Sequence, residues 1–335
     1  MARYDFASDN VAGAMPEVLE ALARFNGGFE AGYGADGVSA RAADLIRGLL
    51  DVDAEVWFAA SGTAANALSL AALAAPHEAV LAHEHSHVAT DETGAPGFFG
   101  SGLAITGLPG ASGRIDLAAL QRALALEDSD HHQSPAALSV TQSSEFGAVY
   151  AGDALAALIG AAKGRNLNVH LDGARMANAA AAGFDVTAAG RLGADVVVLG
   201  GTKAGSTPTE AIVLIDRSVR WRFGARLKHG GQLTSKARFL SAPWIGMLET
   251  GAWSARAAHA NAMARRLAGA MPFPLAHPVE ANGVFVLMDE DARTRLGDAG
   301  WFVYRFIDGS VRFMCSWATT AESVDSLASV LASIA

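Results

Sequence analysis

The sequence predicts an α/β protein: a mainly parallel, seven-stranded sheet flanked by helices, followed by a small C-terminal α+β domain. Short apolar runs alternate with alanine-rich helical stretches as far as Ser241, the pattern of parallel strands covered by crossover helices. After Ser241 the pattern changes to long helical sequence, then short strands and a last helix. The expected division is therefore a large domain over 1–243 and a small one over 244–335.

Pro16 sits in the favoured first-turn position of a helix running through Phe25. A glycine-rich loop follows, then a helix from Val38 to Leu50. The seven strands are expected at Glu55–Ala59, Ala79–His83, Leu103–Thr106, Ala137–Thr141, Asn168–Leu171, Asp195–Leu199 and Ala211–Ile215. One long helix, Ile245–Ala270, opens the second domain. Strands at Val284–Met288, Phe302–Tyr304 and Val311–Met314 and a helix from Thr320 complete it.

Composition narrows the function. The chain has 335 residues, 51% of them apolar, enough for a sizeable core. Arg, Asp, His or Gly interrupts every apolar run before membrane-spanning length, and MARYDFASDN has no secretory apolar stretch. Cys315 is the only cysteine, which fits a reducing cytoplasm. A net charge of −9 speaks against nucleic acid as the main partner. Lys163, Lys203, Lys228 and Lys236 are the only lysines among 25 basic residues. Each lysine therefore invites a question, because lysine can lose its proton and attack a carbonyl whereas arginine cannot.

Three constellations bear chemistry. GYGADG at 32–37 matches a dinucleotide-binding pattern, but it follows a helix and a polar loop where a strand is required. A turn-rich loop is the better reading, and a dehydrogenase the weakest rival. HEHSH puts His83, His85 and His87 on one face if the strand continues, a row that could bind a metal in a metallohydrolase. The third is distributed. SGTAAN follows the strand EVWFA, so Gly62, Thr63 and Ala64 would offer N–H groups at a helix start, as an ordinary Ser cap also would. VHLDGAR ends a strand in Asp172 with Arg175 three residues on, and ADVVVLGGTK places Lys203 after the next strand. A phosphate cradle, a strand-end Asp and a strand-end Lys, in this order, point to pyridoxal 5′-phosphate (PLP).

The same residues resemble the L-threonine aldolase family of fold type I PLP enzymes. The motifs that carry the likeness run in family order: SDN at 8–10, YGAD at 33–36, SGTAAN at 61–66, HSHVATDETGAP at 85–96, HLDGARMANA at 170–179 and GGTKAG at 200–205. TQSSEFGAVY (141–150), TEAIVL (209–214) and the ATTAE ending are similar to the low-specificity bacterial branch, which includes phenylserine aldolases. The resemblance implies retro-aldol cleavage of β-hydroxy-α-amino acids to glycine and an aldehyde. It implies that Lys203 forms a Schiff base with PLP, Asp172 keeps the ring nitrogen protonated, and His87 stacks on the ring and serves as a base. His131 matches a second histidine near the substrate hydroxyl, although His132 leaves that match open by one residue. Arg175, Arg312 and Ser8 correspond to the substrate-carboxylate clamp. The resemblance further implies a homotetramer with sites at dimer interfaces. The family's Gly-Gly-Gly-Met-Arg segment reads HGGQLTSKAR here, so Arg226, Lys228 or Lys236 stands in for its arginine. Aminotransferases and β-eliminating lyases can use the same frame, because fold does not fix reaction.

Overall fold

The computed structural model describes residues 2–126 and 129–335. Among them, seven strands form one sheet: β1 (Glu55–Ala59), β2 (Glu78–His83), β3 (Ala104–Leu108), β4 (Ser134–Thr141), β5 (Asn168–Gly173), β6 (Val196–Gly200) and β7 (Glu210–Leu214). Their order is β1-β7-β6-β5-β4-β2-β3, with β7 running opposite to the other six. The expected strands lie within a few residues of those observed. Because side chains alternate across a strand, each strand feeds two cores. Val197, Leu199, Ala211 and Val213 join a core with Ile46, Leu158 and Trp244 on one face. Val196, Val198, Ile212 and Leu214 join Leu68, Phe223 and Leu227 on the other. Burial on both faces explains why these strands read as unbroken apolar runs.

A second, antiparallel sheet has the order β8-β10-β9: β8 (Gly283–Val286), β9 (Tyr304–Arg305) and β10 (Val311–Met314). It packs with helices Glu290–Asp298 and Ala321–Ile334 around Val284, Phe313, Leu327 and Leu331.

Two expectations need correction. The single helix 245–270 is two, Arg238–Glu249 and Ala252–Gly269, broken where Gly251 adopts a left-handed φ of 75°. The division after residue 243 consequently falls inside a helix whose Trp244, Ile245 and Met247 belong to the large core. The two cores meet instead along Ala252–Gly269: Trp253 and Ala257 pack with the large core, Ala264 and Leu267 with the small one. The N-terminus also crosses over. Phe6 is buried in the small core, and its carbonyl accepts the Met314 N–H at 2.8 Å. This crossing carries residues 8–10 into the crevice between the cores.

Candidate active site

The carboxyl ends of β4, β5 and β6 open onto a cavity of about 340 Å³, within the size range of small-molecule sites. Gly62, Thr63, Asn66, His87, Asp172, Arg175 and Lys203 all line it. A larger cleft of about 970 Å³ lies between Arg114, Phe184 and Arg265, away from these groups.

Asp172 and Lys203 reach the cavity because β5 and β6 are adjacent and parallel. Asp172 Oδ1 accepts the Ala174 N–H and its Oδ2 accepts Asn66 Nδ2, both at 2.9 Å. Lys203 follows two glycines that the packing requires. A Cβ on Gly200 would stand 2.2 Å from the Ala174 carbonyl oxygen, and one on Gly201 2.5 Å from that of Thr209. Burial, then the Arg175 charge, lowers the Lys203 pKa below its ordinary value. That direction favours the neutral, nucleophilic amine.

Helix Gly62–Leu73 begins at the rim. Its N-cap Ser61 accepts the Ala64 N–H at 3.3 Å, so Ala64 is already partnered and does not line the cavity. Gly62 and Thr63 remain as first-turn N–H groups with no carbonyl in their own helix to bond.

The histidine row is taken apart by the fold. β2 ends at His83, whose Nε2 lies 3.0 Å from the Gly110 carbonyl and whose Nδ1 accepts the His85 N–H at 3.1 Å. The chain then turns, and His87 opens the short helix His87–Thr90. Only His87 reaches the cavity. Its Nδ1 is 2.9 Å from Glu92 Oε1, and that hydrogen bond raises its pKa against the opposing effect of burial. Asn66 Nδ2 also donates to Glu92 Oε1 at 2.9 Å, linking Asp172, Asn66, Glu92 and His87 in one chain of contacts.

His131 stands apart from this cavity within the chain. It is exposed in a turn before Ser134, at the amino end of β4, while Thr141 at the other end lines the cavity. Eight residues of strand separate them, roughly 25 Å at ~3.3 Å per residue. Its neighbour Gln133 donates to the Glu78 and Gly102 carbonyls, around the start of β2.

The clamp residues divide. Arg175 is paired with Asp9, Nε to Oδ2 at 2.7 Å and Nη2 to Oδ1 at 3.0 Å. Ser8 is displaced from its expected part: its hydroxyl accepts the Asn10 N–H at 3.2 Å, and its neighbours Asp9 and Asn10 face Arg175 and the cavity. Arg312 lies outside the lining, over the Phe306 ring at 5.0 Å, near enough for its charge to act on Arg175.

Asp9, Asn66, Glu92, Glu145 and Glu210 were not predicted. Glu145 Oε1 accepts the His87 N–H and the Thr141 hydroxyl at 2.9 Å each, while burial raises its pKa. The quoted motifs held all five, since SDN, SGTAAN, HSHVATDETGAP, TQSSEFGAVY and TEAIVL contain them.

PLP fits these residues. Buried polar atoms of Asn66, Ser143 and Glu145, all of which line the cavity, lack protein partners, and such orphans call for an explanation. Together with an amine, a strand-end carboxylate and two helix-start N–H groups, they provide for an aldehyde, a ring nitrogen and a phosphate. This fold and this constellation define a fold type I PLP enzyme.

Residues 5–291 match the model of the beta-eliminating lyase family, and the chain belongs to that family. It is 44% identical over 332 residues to a low specificity L-threonine aldolase of Pseudomonas sp. (strain NCIMB 10558), spanning 96% of this chain and 95% of that protein. A low specificity L-threonine aldolase of Pseudomonas aeruginosa is likewise 44% identical, over 331 residues, with 96% and 95% covered. The solved threonine aldolase of Leishmania major superposes with a TM-score of 0.93 at 29% identity, covering 99% of this chain and 100% of that one.

Proposed function

We propose that the chain is a PLP-dependent aldehyde-lyase. Its substrates are L-threonine, L-allo-threonine and related β-hydroxy-α-amino acids, phenylserine among them, and its products are glycine and an aldehyde. The observation that carries this reading is the convergence of Lys203, Asp172, Arg175, His87 and the Gly62–Thr63 helix start on one cavity.

When bound, PLP supplies a protonated pyridine ring able to accept the electron pair of a bond broken at the substrate Cα. The chain's residues do the rest. Lys203 provides the amine that holds the cofactor aldehyde, and Gly62 and Thr63 provide phosphate donors. Asp172 holds a proton on the ring nitrogen by placing an anion beside it. Arg175, with Arg312 behind it, holds the substrate carboxylate and so determines which Cα bond is set to break. His87, oriented by Glu92, takes the β-hydroxyl proton. The hydroxyl oxygen then forms the aldehyde double bond as Cα–Cβ breaks, and a proton returned to Cα completes glycine.

We further propose that the protein is a cytoplasmic homotetramer with sites at dimer interfaces. Among the described residues no helix is long and apolar enough to cross a membrane. Arg226, Lys228 and Lys236 are exposed, and between them Gln232 Oε1 accepts the Ala60 N–H at 2.9 Å, beside the helix start. That position suits one of the three for a neighbour's phosphate, and sedimentation of the purified protein tests the assembly.

Product analysis tests the reaction. With PLP and L-threonine the protein should release glycine and acetaldehyde in equal amounts. Ammonia and an oxoacid would mark β-elimination instead, the chemistry named in the family's description. Borohydride reduction of the loaded protein should leave the pyridoxyl group on Lys203; a label on Lys163, Lys228 or Lys236 overturns the assignment.

A further inference from the structure

A single amide stands between two carboxylates of the site. Asn66 is buried on the helix Gly62–Leu73, one turn beyond the Gly62 and Thr63 N–H groups, and lines the cavity. Its Nδ2 donates to Asp172 Oδ2 and to Glu92 Oε1, at 2.9 Å each. An amide nitrogen carries two hydrogens and accepts nothing, so both are used. Turning the amide over would set its oxygen against two carboxylates, and the observed orientation is the one that bonds. Each carboxylate has a second contact. Asp172 Oδ1 accepts the Ala174 N–H at 2.9 Å, so that carboxylate is held at both oxygens. Glu92 Oε1 also lies 2.9 Å from His87 Nδ1. Asn66 thus ties the end of β5 to the turn that carries His87 and Glu92.

We propose that Asn66 is a positioning residue for both halves of the reaction: one amide fixes the plane of the Asp172 carboxylate and holds the Glu92 carboxylate to His87 Nδ1. The inference rests on Asp172 serving the cofactor ring and His87 taking the hydroxyl proton, and Asn66 acts through both. Without the amide, Asp172 keeps only the Ala174 N–H and can turn about its Cβ–Cγ bond. Glu92 keeps only His87. Burial raises the Glu92 carboxyl and the bonds from His87 and Asn66 oppose that rise, so losing one of them favours the neutral acid. A neutral Glu92 offers His87 no anion, and the imidazole then titrates at lower pH. The charged groups acting on Glu92 are His87 and Asp172, and those acting on His87 are Glu92, Lys203 and Asp172.

The test compares Asn66→Ala, Glu92→Gln and the double variant as PLP-loaded, full-length chains, with loading of Lys203 verified by borohydride and peptide mapping. In Asn66→Ala the ¹⁵N NMR signal of ring-labelled PLP should move toward that of the unprotonated ring, and the acid limb of kcat/KM should move to lower pH. Its kcat should fall about 10²-fold, the lower end of what a general base contributes. KM should stay within about twofold of wild type, because Arg175 is held by Asp9 and not by Asn66. Glu92→Gln should move the limb and leave the ring signal in place. Adding Asn66→Ala to it should move the ring signal but shift the limb no further, since effects passing through one contact do not add. Asn66→Asp keeps the side-chain shape but presents oxygen to both carboxylates, and it should reproduce both changes. An unmoved ring signal or limb in Asn66→Ala, a further limb shift in the double variant, or a wild-type-like Asn66→Asp each overturns the proposal. Two other results have a different meaning: no label on Lys203 in the wild type, or an unmoved limb in Glu92→Gln, overturns the reading of the site itself.

Discussion

Asp9 and Arg175, one from the N-terminal crossing and one from the end of β5, form a buried two-point ion pair at the crevice between the cores. Burial alone would raise the Asp9 carboxyl, but the adjacent guanidinium wins and holds it at about 2. Asn282, immediately before β8, donates to the same carboxylate at 3.1 Å. One carboxylate therefore fixes the candidate clamp arginine and ties the N-terminal crossing to the end of β5 and to the residue ahead of β8.

Removing that charge should cost stability and substrate binding together. Asp9→Asn leaves the Arg175 charge buried and uncompensated, a change worth about 3–5 kcal/mol when such a pair is broken. Urea denaturation should show the loss, and KM for threonine should rise. Because the folded Asp9 pKa is depressed, its contribution is present above the unfolded value of 3.8 and disappears as pH falls toward about 2. Arg175→Lys keeps charge but gives up the fork, so turnover should fall roughly 10²-fold with new side products. Unchanged kinetics in Arg175→Lys would remove the arginine from the substrate site.

The His87–Glu92 contact predicts a pH effect on catalysis. Glu92 accepts from the ring and raises the His87 pKa, so a base at His87 becomes available only at higher pH. Glu92→Gln keeps an acceptor but removes the anion, and the acid limb of kcat/KM should move to lower pH. A limb that stays in place would mean that His87 is not the base.

Which parts of this were legible in the sequence follows from the range of the interactions. Asp172 and Lys203 each terminate an apolar strand, a local pattern, and parallel neighbours bring such ends together. Glu210 was equally local, a carboxylate at the head of TEAIVL, yet nothing nearby in sequence says it lines the cavity that holds Lys203. Asp9 acts through Arg175 and Asn66 through Asp172, partners 166 and 106 residues away, so only the folded chain reveals them. His131 was placed by likeness of sequence alone, in a polar turn with no periodicity to fix its end of the strand. The long helix was misjudged because Thr250–Gly251 is a brief interruption in otherwise helical sequence.

His170 predicts acid sensitivity unrelated to catalysis. It is fully buried in β5, with Nδ1 2.9 Å from the Ser139 hydroxyl, and burial lowers its pKa to about 4 from 6.5. The folded protein thus binds fewer protons here than the unfolded chain between those values. Stability should be complete above 6.5 and decline as pH falls toward about 4, by about 1.4 kcal/mol per pH unit from this one group. His170→Gln should flatten that decline in melting temperature, whatever it costs at neutral pH. An equally steep decline in the variant would assign the sensitivity to other groups.

Gly200 offers the most direct test that the two strand ends must approach closely. The Cβ of Gly200→Ala would stand 2.2 Å from the Ala174 carbonyl oxygen, and that oxygen is backbone, unable to swing aside. Either β6 or the turn after Asp172 must move, and both carry the site. Overpacking of this kind typically costs ~1–3 kcal/mol, so the protein should still fold. Cofactor uptake should suffer more, because Lys203 and Asp172 would no longer be spaced for one ring. The predicted outcome is a modest fall in melting temperature with a large fall in PLP affinity, measured by equilibrium dialysis. Gly48→Ala, at an exposed helical position where an added Cβ meets nothing within 4 Å, is the matching control: it should leave PLP affinity unchanged and, if anything, raise the melting temperature. If Gly200→Ala binds PLP as tightly as wild type, the spacing of the β5 and β6 ends does not govern the site.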